Sequence, residues 1–170
     1  MIIHPLETKD EEKVREFYRL HAGDKDGSLA RSVLEGSAGV AAEDKEQGLL
    51  AVGFMRAADI DLYEMVDMRV RPDHREMGLE AQMLLTLELT AEKRRARFFG
   101  VWLRSDVCDA YSYADINERM RYLERGYRFR SYRADREGGD HRDRLDKELQ
   151  GDDLLGMTRK KGRKSGYSQN

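Results

Sequence analysis

The sequence has a single cysteine, Cys108, and its longest stretch without polar side chains is only Gly48–Met55. One thiol excludes an internal disulfide framework and any multi-cysteine zinc site, and a lone cysteine is most often a small buried filler. No metal site is predicted. The apolar stretch falls far below the length of a bilayer span. No positively charged and then apolar leader opens the chain, since Met1-Ile2-Ile3-His4-Pro5 runs directly into charge. An intracellular, cytoplasmic protein with no membrane partner is therefore expected. Internal repeats are also missing, as is low-complexity sequence before the basic tail.

What is present is enough apolar material for a core beneath a heavily charged surface: 39% hydrophobic and 38% charged in 170 residues. That length predicts one domain rather than two. The net charge of −2 conceals an asymmetry. Five of the 31 basic residues and none of the 33 acidic ones lie in residues 159–170, which leaves residues 1–158 at −7. The expected organisation is a single acidic domain over 1–158 and a disordered basic tail over 159–170. An acidic body is a poor nucleic-acid cradle, although the tail alone could touch phosphate.

Periodicity then orders the elements. Ile2-Ile3-His4-Pro5-Leu6 reads as a strand, Thr8 as a helix cap, and Val14, Phe17, Tyr18 and His21 as one helical face. A weaker helix is predicted within 24–36. Ala38–Ala42, Gly48–Arg56 and Leu62–Val70 alternate as an antiparallel meander separated by charged turns. Pro72 ends the third strand and Gly78 opens the strongest helix, in which Leu79, Met83, Leu84, Leu87 and Ala91 share a face. Phe98–Leu103 reads as a strand covered on both faces, completing a parallel strand–helix–strand crossover. A helix around Ile116–Arg125 stops at Gly126. Tyr127–Tyr132 alternates as a last strand with Asp153–Thr158 as its predicted partner, and the charged segment 134–151 between them reads as a surface excursion or short helix.

The segment richest in chemistry is Met68-Arg69-Val70-Arg71-Pro72 followed by Arg75-Glu76-Met77-Gly78-Leu79-Glu80. A strand entering a tight Arg-x-x-Gly turn at the head of a helix points several free N–H groups and the positive end of the helix dipole at one spot, which favours an anion. A second segment, Tyr122-Leu-Glu-Arg-Gly126-Tyr127, ends the last helix.

These two segments, in this order of elements, resemble the GNAT superfamily of acyl-coenzyme A N-acyltransferases over residues 2–158. The resemblance implies an α/β (α+β) fold with a mixed sheet: an antiparallel N-terminal meander, then a parallel strand–helix–strand crossover whose strands splay apart. It also implies an N-acetyltransferase that moves an acetyl group from acetyl-CoA to a primary amine of a small molecule or protein. Pantetheine would enter the splay beside Met68, Arg69 and Val70, and pyrophosphate would lie over the turn formed by Arg75, Glu76, Met77, Gly78, Leu79, Glu80 and Ala81. A main-chain N–H near Met68 would face the developing oxyanion. Tyr122 matches the proton donor to the thiolate, and Asp67 or Glu64 would be the base. Their spacing puts these two carboxylates on opposite faces of a regular strand, so only one would line the cleft, and Asp67 is favoured.

Glu80 departs from the small residue of the motif, and Asp115 and Glu118 stand where Asn and Ala often do. Two like charges about 5 Å apart at an effective dielectric of about 20 repel by about 3 kcal/mol, so Glu80 aimed at a phosphate would impair binding. An alternative reading is a GNAT-fold protein without acyl-CoA activity, acting as a binding module or a nucleic-acid-directed transferase with another donor. A third is a regulatory protein without catalysis. An acidic cleft would favour cationic acceptors, and a homodimer is plausible by resemblance.

Overall fold

Alternation in the middle of the chain builds most of one sheet. The computed structural model describes residues 1–105, 112–134 and 141–149. β1 (Ile2–Pro5), β2 (Ala38–Asp44), β3 (Gly48–Asp59) and β4 (Leu62–Val70) pair antiparallel in sequence, as the meander predicts. β5 (Phe98–Arg104) runs parallel to β4, and the full order is β1-β2-β3-β4-β5-β7-β6.

Helices cover the two faces unequally. α1 (Glu11–His21) and α2 (Ser28–Leu34) pack Val14, Phe17, Tyr18 and Val33 on Val52 and Phe54, and no residue of β5, β6 or β7 joins that cluster. On the other face α3 (Leu79–Lys93) buries Met83, Leu84 and Leu87 against Leu50, Met55, Val70, Phe99 and Val101. Gly53 permits this close approach, since a Cβ there would stand 3.1 Å from Leu87 Cδ1. α4 (Tyr113–Glu124) adds Tyr122 to the same core, and its first turn is closed by a reciprocal Ser112–Asp115 capping box.

Two expectations change. A 3-10 turn over Thr8–Asp10 precedes α1 with Glu7, not Thr8, at its cap, and the buried Asp10 carboxylate accepts the Glu7 N–H at 2.9 Å. The partner of β6 (Arg128–Ala134) is β7 (His141–Glu148), which lies inside the segment read as an excursion and inserts between β5 and β6. Two of its charged side chains are matched from outside the strand: Asp143 pairs with Arg119 of α4, and Lys147 meets Glu88 of α3 at 2.6 Å. Asp153–Thr158, the tail 159–170 and Cys108 lie outside the described residues. Among those described, no helix is long and apolar enough to cross a membrane.

Candidate active site at the splayed strands

β4 and β5 pair over only three positions, Leu62↔Phe98, Tyr63↔Phe99 and Glu64↔Gly100. Beyond Glu64 they separate: β5 continues along β7, while the edge of β4 from Met65 to Val70 has no β5 partner among the described residues. A cleft of about 980 Å³ fills the wedge and reaches the turn before α3.

That turn is built by Gly78, whose φ of +70° ends the 3-10 turn Pro72–Met77 and starts α3. A side chain there would be strained, so glycine is the residue the conformation requires. Arg71 holds the approach by two bonds to Asp73, at 3.1 and 2.6 Å, and one to the Gln47 carbonyl at 3.2 Å. The side chains of Glu76 and Met77 lie outside the described ones. Glu80 turns toward α4, where Arg121 meets it at 3.4 Å, and Arg125 bonds the Ala81 carbonyl at 3.2 Å. Arg121 therefore supplies a positive charge beside Glu80. Arg71 and His74 are both engaged with Asp73.

The α4 wall presents Tyr122 and Glu118, one helical turn apart, to the cleft. Tyr122 is 7% exposed and packs edge-on to Tyr127, with ring centroids 5.2 Å apart. Burial pushes its hydroxyl pKa up, with a smaller push from Glu118. Burial also raises the Glu118 carboxyl, and neither Asp115 nor Glu80 helps it ionise.

Across the sheet, Glu64 and Asp67 share one face, contrary to the opposite-face expectation. Phe54 pairs Asp67 while Met55 pairs Met65, so Val66 is an extra residue in β4. This bulge resets the alternation. Asp67 then lies on the side of Phe54, as does Glu64 opposite Arg56, and both line the cleft. Asp67 Oδ2 accepts from the Tyr18 hydroxyl at 2.7 Å and from Arg69 Nε at 2.9 Å, which leaves Oδ1 unused by either bond. Glu64 Oε2 accepts from Trp102 Nε1 at 3.0 Å.

No family model matches the sequence, and no curated protein matches it. Solved structures do. The ribosomal-protein-S18-alanine N-acetyltransferase from Escherichia coli is 19% identical over 90% of this chain and 97% of its own, with a TM-score of 0.65. An aminoglycoside 6'-N-acetyltransferase in complex with coenzyme A is 16% identical over 88% and 98%, with a TM-score of 0.68. The chain has the GNAT fold. A third GNAT-fold neighbour, a GNAT family acetyltransferase from Elizabethkingia anophelis with acetyl-CoA bound, is 15% identical over 87% and 97%, with a TM-score of 0.66.

Within this GNAT fold, one cleft gathers most of the residues singled out from sequence: Tyr122, Asp67, Glu64, Met68, Gly78 and Glu80. Arg75 and Ala81 line it as well. Val70 and Leu79 are buried in the core, so only their main chain is available, and the Arg69 guanidinium is spent on Asp67. Sequence reasoning overlooked Tyr18, Trp102 and Arg121 as partners of the three carboxylates. Arg121 carried a signal, because it lies three residues after Glu118 on the same helical face. Tyr18 and Trp102 carried none, since each meets its partner from a distant strand or helix.

Proposed function

We propose that the protein is an N-acetyltransferase that moves the acetyl group of acetyl-CoA onto a primary amine of a small molecule or protein. The observation that carries the reading is the splay of β4 from β5 after Glu64, with a tyrosine on one side of the wedge and two carboxylates on the other. The unpaired edge Met65–Val70 suits an extended amide-bearing chain, and the Arg75–Ala81 turn offers main-chain N–H groups to phosphate. Acetyl-CoA, when bound, supplies a thioester whose carbonyl carbon accepts the amine.

The protein's own groups have separate tasks. A main-chain N–H near Met68 faces the carbonyl oxygen. Asp67, through Oδ1, takes the proton that the acceptor ammonium must lose, directly or through water, and Glu64 is the other carboxylate within the same face. Tyr122 keeps its proton at neutral pH because burial raises its pKa, so it can donate to the departing sulfur. A phenol lies about 1.5 pKa units above a thiol, a cost of about 2 kcal/mol in water. Desolvation in the cleft raises the phenol and the thiol in the same direction.

A cytoplasmic home fits this cosubstrate. Calorimetric titration with acetyl-CoA tests the proposal: saturable binding is expected for the wild-type chain. Failure to bind in both the wild type and Glu80→Ala removes the transferase reading.

A further inference from the structure

The half of the cleft away from α3 opens onto the sheet face that α1 and α2 leave bare, and its chemistry is not that of an acidic pocket. Trp102 lies on this face, because its neighbours Val101 and Leu103 point into the opposite core. Arg133 of β6 and Arg144 of β7 sit over its ring, with guanidinium carbons 5.7 and 6.0 Å from the centroid. Arg144 is neutralised by two bonds to Asp146 at 2.7 and 3.1 Å. Arg133 has no carboxylate or hydrogen-bond partner among the described residues, and it is exposed to the cleft.

Across the cleft, Arg56 of β3 stands opposite Glu64. Among the described residues its only hydrogen bond is a long one from Nη2 to the Ser32 carbonyl, at 3.4 Å, and its Nε is buried without an acceptor there. Arg142 of β7, opposite Arg133 in the sheet, lines the cleft on the other flank. Neither Arg133 nor Arg56 forms an ion pair among the described residues; Arg56 has Glu64 as its cross-strand neighbour, whereas Arg133, on the other flank beyond Trp102, has no carboxylate beside it among them. Guanidinium forks are suited to carboxylate or phosphate oxygens, whereas a single cation would be repelled. Glu64 touches the Trp102 indole at 3.0 Å and Arg133 stands 5.7 Å from the ring centroid, so one small molecule can reach both the carboxylate and the guanidinium.

We propose that the acceptor is a small amine that also carries an anionic group, a carboxylate or a phosphate. Its ammonium meets Glu64 and Asp67, and its anion meets Arg133 beside Trp102. This rests on the transferase reading for the word acceptor, while the binding site itself does not depend on acetyl-CoA.

Trp102 is the single tryptophan of the chain, so its fluorescence reads this surface directly. Titrations without acetyl-CoA compare O-phosphoethanolamine with ethanolamine, and L-phenylalanine with 2-phenylethylamine. The anionic member of at least one pair should bind about tenfold tighter than its partner, and the pair that responds tells phosphate from carboxylate. Arg133→Gln, at an exposed position, should remove most of that preference and leave the binding of the plain amine unchanged. Equal or tighter binding of the plain amines, an undiminished preference in Arg133→Gln, or no response to any ligand up to about 20 mM would overturn the proposal. If the preference appears but acetyl-CoA does not bind in calorimetry, the anionic-amine site stands and the transferase reading falls. If acetyl-CoA binds and the preference is missing, the reverse holds.

Discussion

The Tyr18 hydroxyl, on a side chain wholly buried under α1, donates to Asp67 Oδ2 at 2.7 Å. This bond ties the first helix to the bulged segment of β4, and with Arg69 on the same oxygen it fixes which lone pairs of Asp67 remain for the cleft. Burial and the Asp67 charge both raise the Tyr18 pKa, so the phenol stays a donor at any physiological pH. Tyr18→Phe removes a hydrogen bond to a charged group and should cost about 2 kcal/mol of stability, read by denaturant unfolding. Asp67→Asn should lower kcat with little change in acetyl-CoA affinity. If Glu64→Gln gives the larger loss instead, the base is Glu64.

Tyr122→Phe should lower turnover by about tenfold to a thousandfold while acetyl-CoA affinity in calorimetry stays near wild type. The phenyl ring retains the edge contact with Tyr127, so the core is kept. An unaltered rate would assign Tyr122 to packing alone.

Glu80 and Arg121 make opposite predictions. Glu80→Ala removes a carboxylate at the first turn of α3 and frees Arg121, so acetyl-CoA should bind as well or better. Arg121→Ala leaves Glu80 uncompensated, and like-charge repulsion should weaken binding by about tenfold or more. Calorimetry of both variants at low and high salt separates the effect from folding, because added salt should shrink the Arg121→Ala deficit.

Glu118 gives the pH dependence. Its folded pKa is raised above the ordinary 4.5, chiefly by burial, so the native state holds the proton more tightly than the unfolded chain. Stability is then full below 4.5 and falls as pH rises through the shifted value, since unfolding releases a burden of charge. Glu118→Gln should therefore raise Tm at pH 7 to 8 and have little effect at pH 4. Thermal melts across that range check the sign, and a gap that widens toward acid would contradict it.

Much of this protein is local, and the sequence by itself determined it. The meander, the Gly78 turn and the long apolar face of α3 depend on period, chirality and glycine, which need no knowledge of distant residues. Tyr122 was singled out only through the resemblance of the segment Tyr122–Tyr127, and Glu118 only as a departure from it. Only the tertiary structure decided the rest. β7 reads as a charged excursion because Asp143 and Lys147 occupy strand positions whose neutralising partners, Arg119 and Glu88, lie on helices earlier in the chain. The placement of Glu64 and Asp67 on one face follows from a single extra residue, Val66, which becomes visible only when β3 is laid beside β4. The arginines flanking Trp102 converge because β7 inserts between β5 and β6. Pairing across strands and charge compensation are long-range events, and no window along the chain contains both partners.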